Sequence, residues 1–319
     1  SVFFKLMPTK KFSLVIKKPI KDFRKKITVD SDKSISIRSF LLGSISEGIT
    51  SVRNVLESED VFSTINCLRK LNIKILKIGN KTFKIYGKGL GSYSAKNTSE
   101  LNFGNSGTLA RLITGIITST PNLDLKIFGD KSLNKRSMKK LINLMSQFGA
   151  EFHPKNKFFF PLRVSSSNYP IGISYNSGTS AQLKSAVILA GLNSYGNTEI
   201  LEKLKSRDHT ENMLKKNNRA IKLKNGKIKK IKIFGKQSLS NFSINVPGDP
   251  SSAAFFTALT LLKSNSKLEI KNVGLNPTRI GFYILLKKSG ANITFTNKRR
   301  VNNEIIGNIK IKSSKLKPI

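Results

Sequence analysis

Helical and strand-like hydrophobic patterns alternate along the chain, and the alternation repeats. Four apolar helical stretches open with small and hydroxyl-bearing residues; they read DKSISIRSFLLGSI, NSGTLARLITGII, SGTSAQLKSAVILAGL and GDPSSAAFFTALTLL. Each is followed by a β-like run, a polar turn and a second helical pattern that ends in a short strand. In the second copy, Met138, Leu141, Ile142 and Met145 show this later helical spacing. The chain therefore reads as four copies of one plan.

The four openings recur at a nearly constant interval. Aligning Ser34, Thr108, Ser180 and Ser252 gives spacings of 74, 72 and 72 residues, which predicts a structural repeat. Each copy combines strands with two helices, and such copies must pack against one another to bury their apolar faces. The pattern predicts an α/β fold made of repeated units.

Length and composition are those of a folded protein with two domains or one large domain. The chain has 319 residues, of which 38% are apolar and 8% aromatic, enough to bury a core. Its one cysteine, Cys67, excludes an internal disulfide framework and fits a reducing compartment. Because no apolar run reaches the length of a membrane span, we expect a cytoplasmic protein without a membrane partner.

The formal net charge of +39 raises the question of nucleic-acid binding. The basic residues are mostly lysines spread along the whole chain, so we interpret most of them as solvated surface. An RNA-binding protein would interleave aromatic and basic residues on an exposed sheet. Here phenylalanines cluster at 158–160 or lie in apolar helices, as Phe255 and Phe256 do. We expect no nucleic-acid partner and keep a basic RNA-binding protein as an alternative.

The helix openings have the chemistry of anion sites. Ser, Thr and Asp side chains accept hydrogen bonds from the free N–H groups of a first turn. Glycine lets a ligand approach the backbone, and the helix dipole favours negative charge there. A single opening of this kind predicts only a helix start, whereas four of them, several with an Arg or Lys nearby, indicate a shared anion site.

Several residues at these openings suit an anion. Lys33 and Ser34 begin the first helix, and Arg38 follows one turn later on a stripe that should be apolar. A guanidinium in that place suits a carboxylate or a phosphate. The further candidates are Asn105, Gly107, Arg111 and Arg136 in the second copy and Ser180, Ala181, Gln182, Ser206 and Arg207 in the third.

Other kinds of chemistry find little support. His153 and His209 stand far apart without metal-ligand spacing, so we expect no metal site. Cys67 lies within a helical run, which indicates a buried structural thiol. We interpret Glu59 and Asp60 as first-turn partners of a helix dipole. The chain has neither a phosphate-binding GxxxxGK[ST] loop nor a dinucleotide GxGxxG loop.

The ordered motifs resemble the EPSP synthase family, the 3-phosphoshikimate 1-carboxyvinyltransferases. The matching stretches are DKSISIR, GNSGTLAR, GDKSLNKRSM and VPGDPSSAAFF. Two more, SAQLKSAVILAGL and SRDHTENML, resemble the divergent bacterial subclass. The resemblance covers about residues 17–295. It implies a two-domain enolpyruvyl transferase fold of six βαβαββ units, of which about four are present, so we expect a C-terminally truncated chain.

The same resemblance implies a domain plan and a reaction. Residues 30–245 would form a first domain with three units, and residues 1–29 with 246–319 an incomplete second domain. The family transfers the enolpyruvyl group of phosphoenolpyruvate to the 5-hydroxyl of shikimate 3-phosphate, in aromatic amino-acid biosynthesis. No metal or organic cofactor is implied, and we expect a monomer. Because the family's catalytic Asp would lie beyond residue 319, we expect this chain to lack turnover alone.

Carried over residue by residue, the resemblance implies two sets of ligand contacts. Shikimate 3-phosphate would contact Lys33, Ser34, Arg38, Ser180, Ala181, Gln182, Ser206 and Arg207. Phosphoenolpyruvate would contact Lys33, Asn105, Gly107, Arg136 and Gln182. Lys33 would be the catalytic group, and the inhibitor glyphosate would compete where Gly107 leaves room. A UDP-N-acetylglucosamine enolpyruvyl transferase is an alternative, but its loop cysteine has no counterpart, because Cys67 lies in a predicted helix.

Overall fold

Four similar units of sheet and helix build the fold. A computed structural model describes residue 15 and residues 18–96 and 98–318. Of the predicted segment 1–29, residues 1–14, 16 and 17 therefore lie outside the described residues. In the described part, each of the sheets has four strands. The predicted α/β fold with about four repeated units is confirmed.

Each unit repeats one order of strands and helices. A first strand, β1 (Arg24–Ile27), precedes the first unit, which consists of α1 (Lys33–Ile45), β2 (Glu47–Arg53), α2 (Glu59–Lys70), β3 (Lys74–Gly79) and β4 (Thr82–Lys88). The second unit consists of β5 (Glu100–Asn102), α3 (Gly107–Ser119), β6 (Asp124–Phe128), α4 (Lys131–Asn134), α5 (Lys139–Gln147), β7 (Glu151–His153) and β8 (Leu162–Ser165).

The third and fourth units follow the same order. The third consists of β9 (Ser174–Ser177), α6 (Ala181–Leu192), β10 (Asn197–Glu202), α7 (His209–Leu214), β11 (Ile221–Lys224) and β12 (Lys229–Phe234). A short strand, β13 (Ser243–Asn245), comes next. The fourth unit consists of α8 (Pro250–Leu262), β14 (Lys267–Gly274), α9 (Gly281–Lys288), β15 (Asn292–Val301) and β16 (Glu304–Lys312).

The four sheets share one topology. Their strand orders are β13-β2-β4-β3, β5-β6-β8-β7, β9-β10-β12-β11 and β1-β14-β16-β15. In every sheet the first two strands run parallel and the other neighbours run antiparallel. A parallel pair needs a crossover connection, and in the second and third units α3 and α6 supply it.

The first and fourth sheets take their edge strand from a distant part of the chain. β13 follows the third unit but pairs with β2 of the first, from Ser243 opposite Ser51 to Asn245 opposite Arg53. β1 precedes the first unit but pairs with β14 of the fourth. The chain therefore crosses between the first and fourth units twice, after β1 and after β13.

The two crossing segments are hydrogen-bonded to each other. The Asp32 N–H donates to the Pro247 carbonyl at 2.8 Å, and the Asp249 N–H donates to the Asp30 carbonyl at 2.8 Å. Both segments lead directly into helices, α1 and α8. Their pairing therefore brings the N-termini of these two helices together.

The hydrophobic core consists of two clusters. One runs from Ile35 to Val246 and joins the first three units; the other runs from Ala253 to Ile311 within the fourth. In the first cluster α3 and α6 cross so closely that a Cβ at Gly115 would lie 2.4 Å from the Ala186 carbonyl oxygen. Helices apolar on nearly all sides, such as α1 and α6, are those expected inside such a core.

The helix caps correct the alignment made from the sequence. Side-chain caps precede α1, α3, α6 and α8, and they are Asp32, Ser106, Ser180 and Asp249. Only Ser180 of the aligned residues is a cap, because Ser34, Thr108 and Ser252 lie inside their helices. The caps are 74, 74 and 69 residues apart. The repeat is therefore less regular than the sequence spacing indicated, since the connections between units differ in length.

The structure agrees with the structural roles predicted for Cys67, Glu59 and Asp60. Asp60 has an additional contact. Cys67 lies buried in α2, its thiol donates to the Asn102 carbonyl at 3.3 Å, and burial raises its pKa to about 12. Glu59 and Asp60 lie in the first turn of α2 as expected. Asp60, however, also contacts a residue of the candidate site.

The described residues show neither a membrane-spanning helix nor a cluster of metal ligands. Over these residues, no helix combines the length and the apolar character required to cross a membrane. The same residues contain no group of three or more His, Cys, Asp or Glu side chains placed to hold a metal ion.

Candidate active site

A cleft of about 660 Å³ opens where the N-termini of α1, α6 and α8 meet. We call it the first cleft. Its walls are formed by Asp32, Lys33, Ser34, Arg38, Thr108, Thr179, Ser180, Ala181, Gln182, Ser206, Arg207, Asp249, Ser251, Thr278 and Arg279. Helix N-termini direct free N–H groups and the positive end of the dipole into the space, so the first cleft can receive an anion.

A second cleft of about 460 Å³ adjoins the first at the N-terminus of α3. Its walls are formed by Lys33, Glu59, Asp60, Asn105, Gly107, Thr108, Arg111, Arg136 and Gln182. Lys33, Thr108 and Gln182 belong to both clefts, and the Gln182 amide donates to the Thr108 hydroxyl at 2.9 Å. Two anions bound in the two clefts would therefore meet at these three residues.

Arg38 brings a buried cation to the first cleft. Its residue is 3% exposed. The guanidinium donates to the Thr210 hydroxyl at 2.8 Å, the Ser185 hydroxyl at 3.2 Å and both the hydroxyl and the carbonyl of Ser34. Burial lowers the pKa of Arg38 to about 10, which leaves it charged at neutral pH. Among the described residues it has no ion-pair partner, so its charge remains available to a ligand.

Ser206 and Arg207 form another wall of the first cleft. Both the backbone N–H and the hydroxyl of Ser206 donate to Glu202 Oε1, at 3.0 and 2.7 Å. Arg207 is exposed, and within the described part of the chain it makes no hydrogen bond or ion pair. Partial desolvation, followed by the positive charge of Arg279, lowers the pKa of Arg207. Its guanidinium is thus free to bind an anion.

A buried cluster of four charged side chains is hydrogen-bonded to Ser206 of this wall. Lys184 of α6 forms 2.7 Å ion pairs with Glu202 and Glu211, and Lys229 forms a third and a fourth, at 3.6 and 3.1 Å. Burial alone would raise the pKa of Glu202, but hydrogen bonds from Lys184 and Ser206 lower it. The cluster fixes Ser206 to the ends of α6 and β10.

Two arginines and a glycine shape the second cleft. Arg111 donates to the Gly107 carbonyl and to Gln182 Oε1, both at 3.0 Å, and Arg136 donates to Asn105 Oδ1 at 2.7 Å. Burial, followed by the charge of Arg136, lowers the pKa of Arg111. A Cβ at Gly107 would lie 2.8 Å from an Arg111 guanidinium nitrogen and 3.1 Å from one of Arg136. Glycine therefore keeps space in front of both cations.

Lys33 stands between the two clefts. It is the first residue of α1, about half exposed, and its ammonium lies 2.9 Å from Asp60 Oδ2. The ammonium is therefore held at the rim of the second cleft by an acidic side chain. A ligand anion in either cleft would compete with Asp60 for it.

The comparisons with known proteins identify the family. A family model described as EPSP synthase (3-phosphoshikimate 1-carboxyvinyltransferase) matches residues 17–319. The chain belongs to the EPSP synthase family. The prediction made from the motifs is thereby confirmed at the level of the family.

Curated relatives and solved structures agree with this family. A 3-phosphoshikimate 1-carboxyvinyltransferase of Petrotoga mobilis is 40% identical over 94% of this chain and 69% of its own length, and one of Bacillus cytotoxicus is 43% identical over 92% and 68%. The structure of EPSP synthase from Acinetobacter baumannii superposes with a TM-score of 0.84 at 37% identity, over 94% of this chain and 68% of that one. The chain thus spans about two thirds of the length of these relatives and has their enolpyruvyl transferase fold.

The structure brings the residues predicted from EPSP synthase motifs together. All eight predicted shikimate 3-phosphate contacts line the first cleft, and all five predicted phosphoenolpyruvate contacts line the second. Their roles in binding stay predictions. Arg111 was an anion candidate without an assigned ligand, and Thr108 was only aligned as part of a helix opening. The cleft residues that were not predicted as ligand contacts also include Thr179, Asp249, Ser251, Thr278 and Arg279.

Arg279 is the most informative of the missed residues. It occupies the polar turn of the fourth unit, 72 residues after Arg207 and 143 after Arg136, which are the turn arginines of the third and second units. The repeat itself could therefore have predicted it. Its guanidinium donates to Asp32 Oδ2 at 3.0 Å and to Asp249 Oδ1 at 2.9 Å.

Proposed function

We propose that this chain provides the substrate-binding clefts for enolpyruvyl transfer from phosphoenolpyruvate to shikimate 3-phosphate, which gives EPSP and phosphate. Family membership supports the reaction, and one observation carries it for this chain: two anion-receptive clefts adjoin and share Lys33. Both substrates are small anions that must react with each other. Holding them in adjoining sites makes the reaction effectively intramolecular.

The first cleft suits shikimate 3-phosphate. Its phosphate would bind at the N-terminus of α6, where Ser180, Ala181 and Gln182 provide the first turn, with Arg207 as the counter-charge and Ser206 as a weaker contact. Free N–H groups of a helix start and a guanidinium are the usual phosphate ligands. Lys33, Ser34 and Arg38 would hold the ring and carboxylate side.

The second cleft suits phosphoenolpyruvate. Gly107 would leave room for the ligand, Asn105 and Arg136 would bind it from one side, and Lys33 and Gln182 would bind it from the shared wall. We also expect the inhibitor glyphosate to compete here.

The chemistry proposed for this pair of clefts is addition followed by elimination. The 5-hydroxyl oxygen of shikimate 3-phosphate bonds to C2 of phosphoenolpyruvate while C3 takes a proton and the hydroxyl loses one. Phosphate then leaves from C2 and C3 gives up a proton, which restores the vinyl group. Lys33, which can reach both ligands, would be the catalytic residue among those named here, because its charge can stabilise the tetrahedral intermediate between them.

The wider setting is also proposed. We infer a monomer that acts in the cytoplasm, binds small molecules and has no nucleic-acid or membrane partner; its single, buried thiol fits a reducing compartment. We further propose residues 30–245 as one domain and residues 1–29 with 246–319 as part of another. The two hydrophobic clusters and the exchanged edge strands support that division.

Calorimetric titration with shikimate 3-phosphate tests the proposal. The parent chain should bind one equivalent, and Arg38→Ala should weaken binding at least about 30-fold, as expected for losing a buried charge that pairs with a ligand. Arg163→Ala, which removes an exposed Arg–Asp pair, is the control and should bind like the parent. A folded parent chain that gives no binding, or an Arg38→Ala variant that binds equally well, would contradict it.

A further inference from the structure

Arg279 differs from the other turn arginines in what it contacts. Its side chain is 5% exposed, and its guanidinium donates to Asp32, Asp249 and the Ser251 hydroxyl at 3.0, 2.9 and 3.1 Å. By contrast, Arg207 makes no bond in the described part of the chain, and Arg136 donates only to neutral oxygens. Arg279 is therefore committed to protein carboxylates and is not free to bind a ligand directly.

The two carboxylates held by Arg279 are both helix caps at the first cleft. Asp32 Oδ1 accepts the Ile35 N–H of α1 at 2.9 Å, and Asp249 Oδ1 accepts the Ser251 N–H of α8 at 2.8 Å. Asp32 also immediately precedes Lys33. Because each acid uses one oxygen for its helix and is held by Arg279 as well, the guanidinium fixes the two helix starts relative to each other.

Arg279 also connects the fourth unit to the third. Its Nη1 lies 3.3 Å from His209 Nε2, and His209 Nδ1 lies 2.8 Å from Glu304 Oε1. In the same turn as Arg279, Asn276 donates to Asp208 at 2.7 Å and to Glu304 at 3.0 Å. The turn at 276–279 is thus bonded to the first and third units, which carry most of the first cleft.

Charge explains why this arrangement matters for ligand binding. The walls of the first cleft carry four cationic side chains and two acidic ones, a formal charge of +2. Loss of Arg279 would halve that charge and leave Asp32, which is buried, and Asp249 without their counter-ion. Unpaired carboxylates beside the anion site would repel an incoming anion.

We propose that Arg279 is a positioning residue of the first cleft, which neutralises and holds the cap carboxylates of α1 and α8 so that the cleft stays receptive to an anion. The identity of that anion, shikimate 3-phosphate, rests on the proposed function. The role of Arg279 does not rest on it, because any phosphate-bearing ligand would interact with the same charge of the first cleft.

The test measures the affinity of the chain for shikimate 3-phosphate and, separately, for inorganic phosphate. Arg279→Gln should weaken both about tenfold or more. Asp32→Asn combined with Arg279→Gln should recover much of that loss, because the asparagine keeps a capping oxygen without the charge. A residue that served only to stabilise the fold would show no such recovery. Arg163→Gln, in an exposed Arg–Asp pair, is the matched control and should leave both affinities unchanged.

The outcomes separate this inference from the proposed function. Unchanged affinity in Arg279→Gln, or a double variant as weak as the single one, overturns the role of Arg279. Binding of phosphate but not of shikimate 3-phosphate by the parent contradicts the proposed substrate, while the phosphate affinities still decide on Arg279. Binding of neither anion contradicts both. If Arg279→Gln does not fold, Arg279→Lys replaces it: a shorter reach predicts a smaller loss, and undiminished affinity overturns the inference.

Discussion

At the scale of the residue, side chains of one type take different roles because their partners differ. Arg38 is buried among hydroxyl groups and a carbonyl, without an ion-pair partner among the described residues, and burial lowers its pKa to about 10. Arg279 is also buried but is bound to two carboxylates. A charge paired with neutral groups can still attract a ligand, whereas one that neutralises acids acts through them.

A single methyl group at Gly107 should reduce phosphoenolpyruvate binding. Its Cβ would press on the guanidinium groups of Arg111 and Arg136, which must move to make room. We expect Gly107→Ala to weaken the binding of phosphoenolpyruvate roughly tenfold or more, since moving cations away from an anion removes charge-assisted bonds. The binding of glyphosate, which we expect in the same cleft, should be weakened as well.

The control for that change is Gly79→Ala on β3, where a Cβ would meet only an ordinary contact at 3.8 Å. Competition titrations with both ligands provide the measurement. If Gly107→Ala bound phosphoenolpyruvate and glyphosate like the parent, the steric argument would be wrong.

At the scale of the element, the site is an assembly of helix starts. Ser180 accepts the Leu183 N–H at the start of α6, and Ser106 accepts the Leu109 N–H at the start of α3. The two caps are chemically matched, but only Ser180 lines a cleft, whereas Ser106 is buried. Their comparison therefore separates the effect of a cap on stability from its effect on ligand binding.

Removing either cap should cost similar stability, but only the loss of the Ser180 cap should affect ligand binding in the first cleft. We expect Ser180→Ala and Ser106→Ala each to lower the free energy of unfolding by about 1 kcal/mol. Ser180→Ala should weaken the binding of shikimate 3-phosphate more than Ser106→Ala does, because only Ser180 lines the first cleft. Urea unfolding and calorimetry measure the two effects. Equal losses of shikimate 3-phosphate affinity in both variants would argue against phosphate binding at α6.

The buried charge cluster beneath Ser206 predicts a pH dependence. Hydrogen bonds from Lys184 and Ser206 outweigh desolvation and lower the pKa of Glu202 in the folded chain. A carboxyl with a lowered folded pKa contributes stability above its unfolded pKa and loses it as the pH falls through the folded value. Unfolding free energies should therefore decline below about pH 4.5, and less steeply in Glu202→Gln, itself less stable at pH 7. A parallel decline in both chains would exclude this contribution.

At the scale of the whole molecule, the fourth unit leaves apolar helix faces exposed to solvent. Helices α8 and α9 expose apolar side chains on their outer faces, among them Phe255 at 80%, Leu262 at 79% and Leu285 at 54% exposure. The equivalent helices of the first three units, such as α1 and α6, are buried in the large cluster. An apolar face of this extent is a place where other apolar surfaces bind.

Polar substitutions on this face should reduce apolar binding without loss of stability. We expect Phe255→Ser with Leu262→Ser to lower the fluorescence of a hydrophobic dye and to raise solubility, because these side chains bury little area in the folded chain. Ile78→Ser, an exposed position on β3, should change the dye signal much less. The same dye fluorescence in the double variant and the parent would show that the dye binds elsewhere.

The repeats, the α/β class and the cleft residues at the starts of α1, α3 and α6 could be predicted from the sequence, because they depend on short spacings and on motifs within single helix starts. Ser34 and Arg38 are four residues apart, and their common face follows from the helix period alone. The exact cap positions could not be read in the same way, because the connections between units vary in length.

Tertiary structure decided which distant residues are partners. The pairing of Arg279 with Asp32 joins residues 247 apart, and the contact of Lys33 with Asp60 joins two helices. The exchange of β1 and β13 between sheets likewise depends on packing across the molecule. Local patterns determine where a charge lies on its own element, but whether it is paired or left for a ligand depends on which elements the fold brings against it.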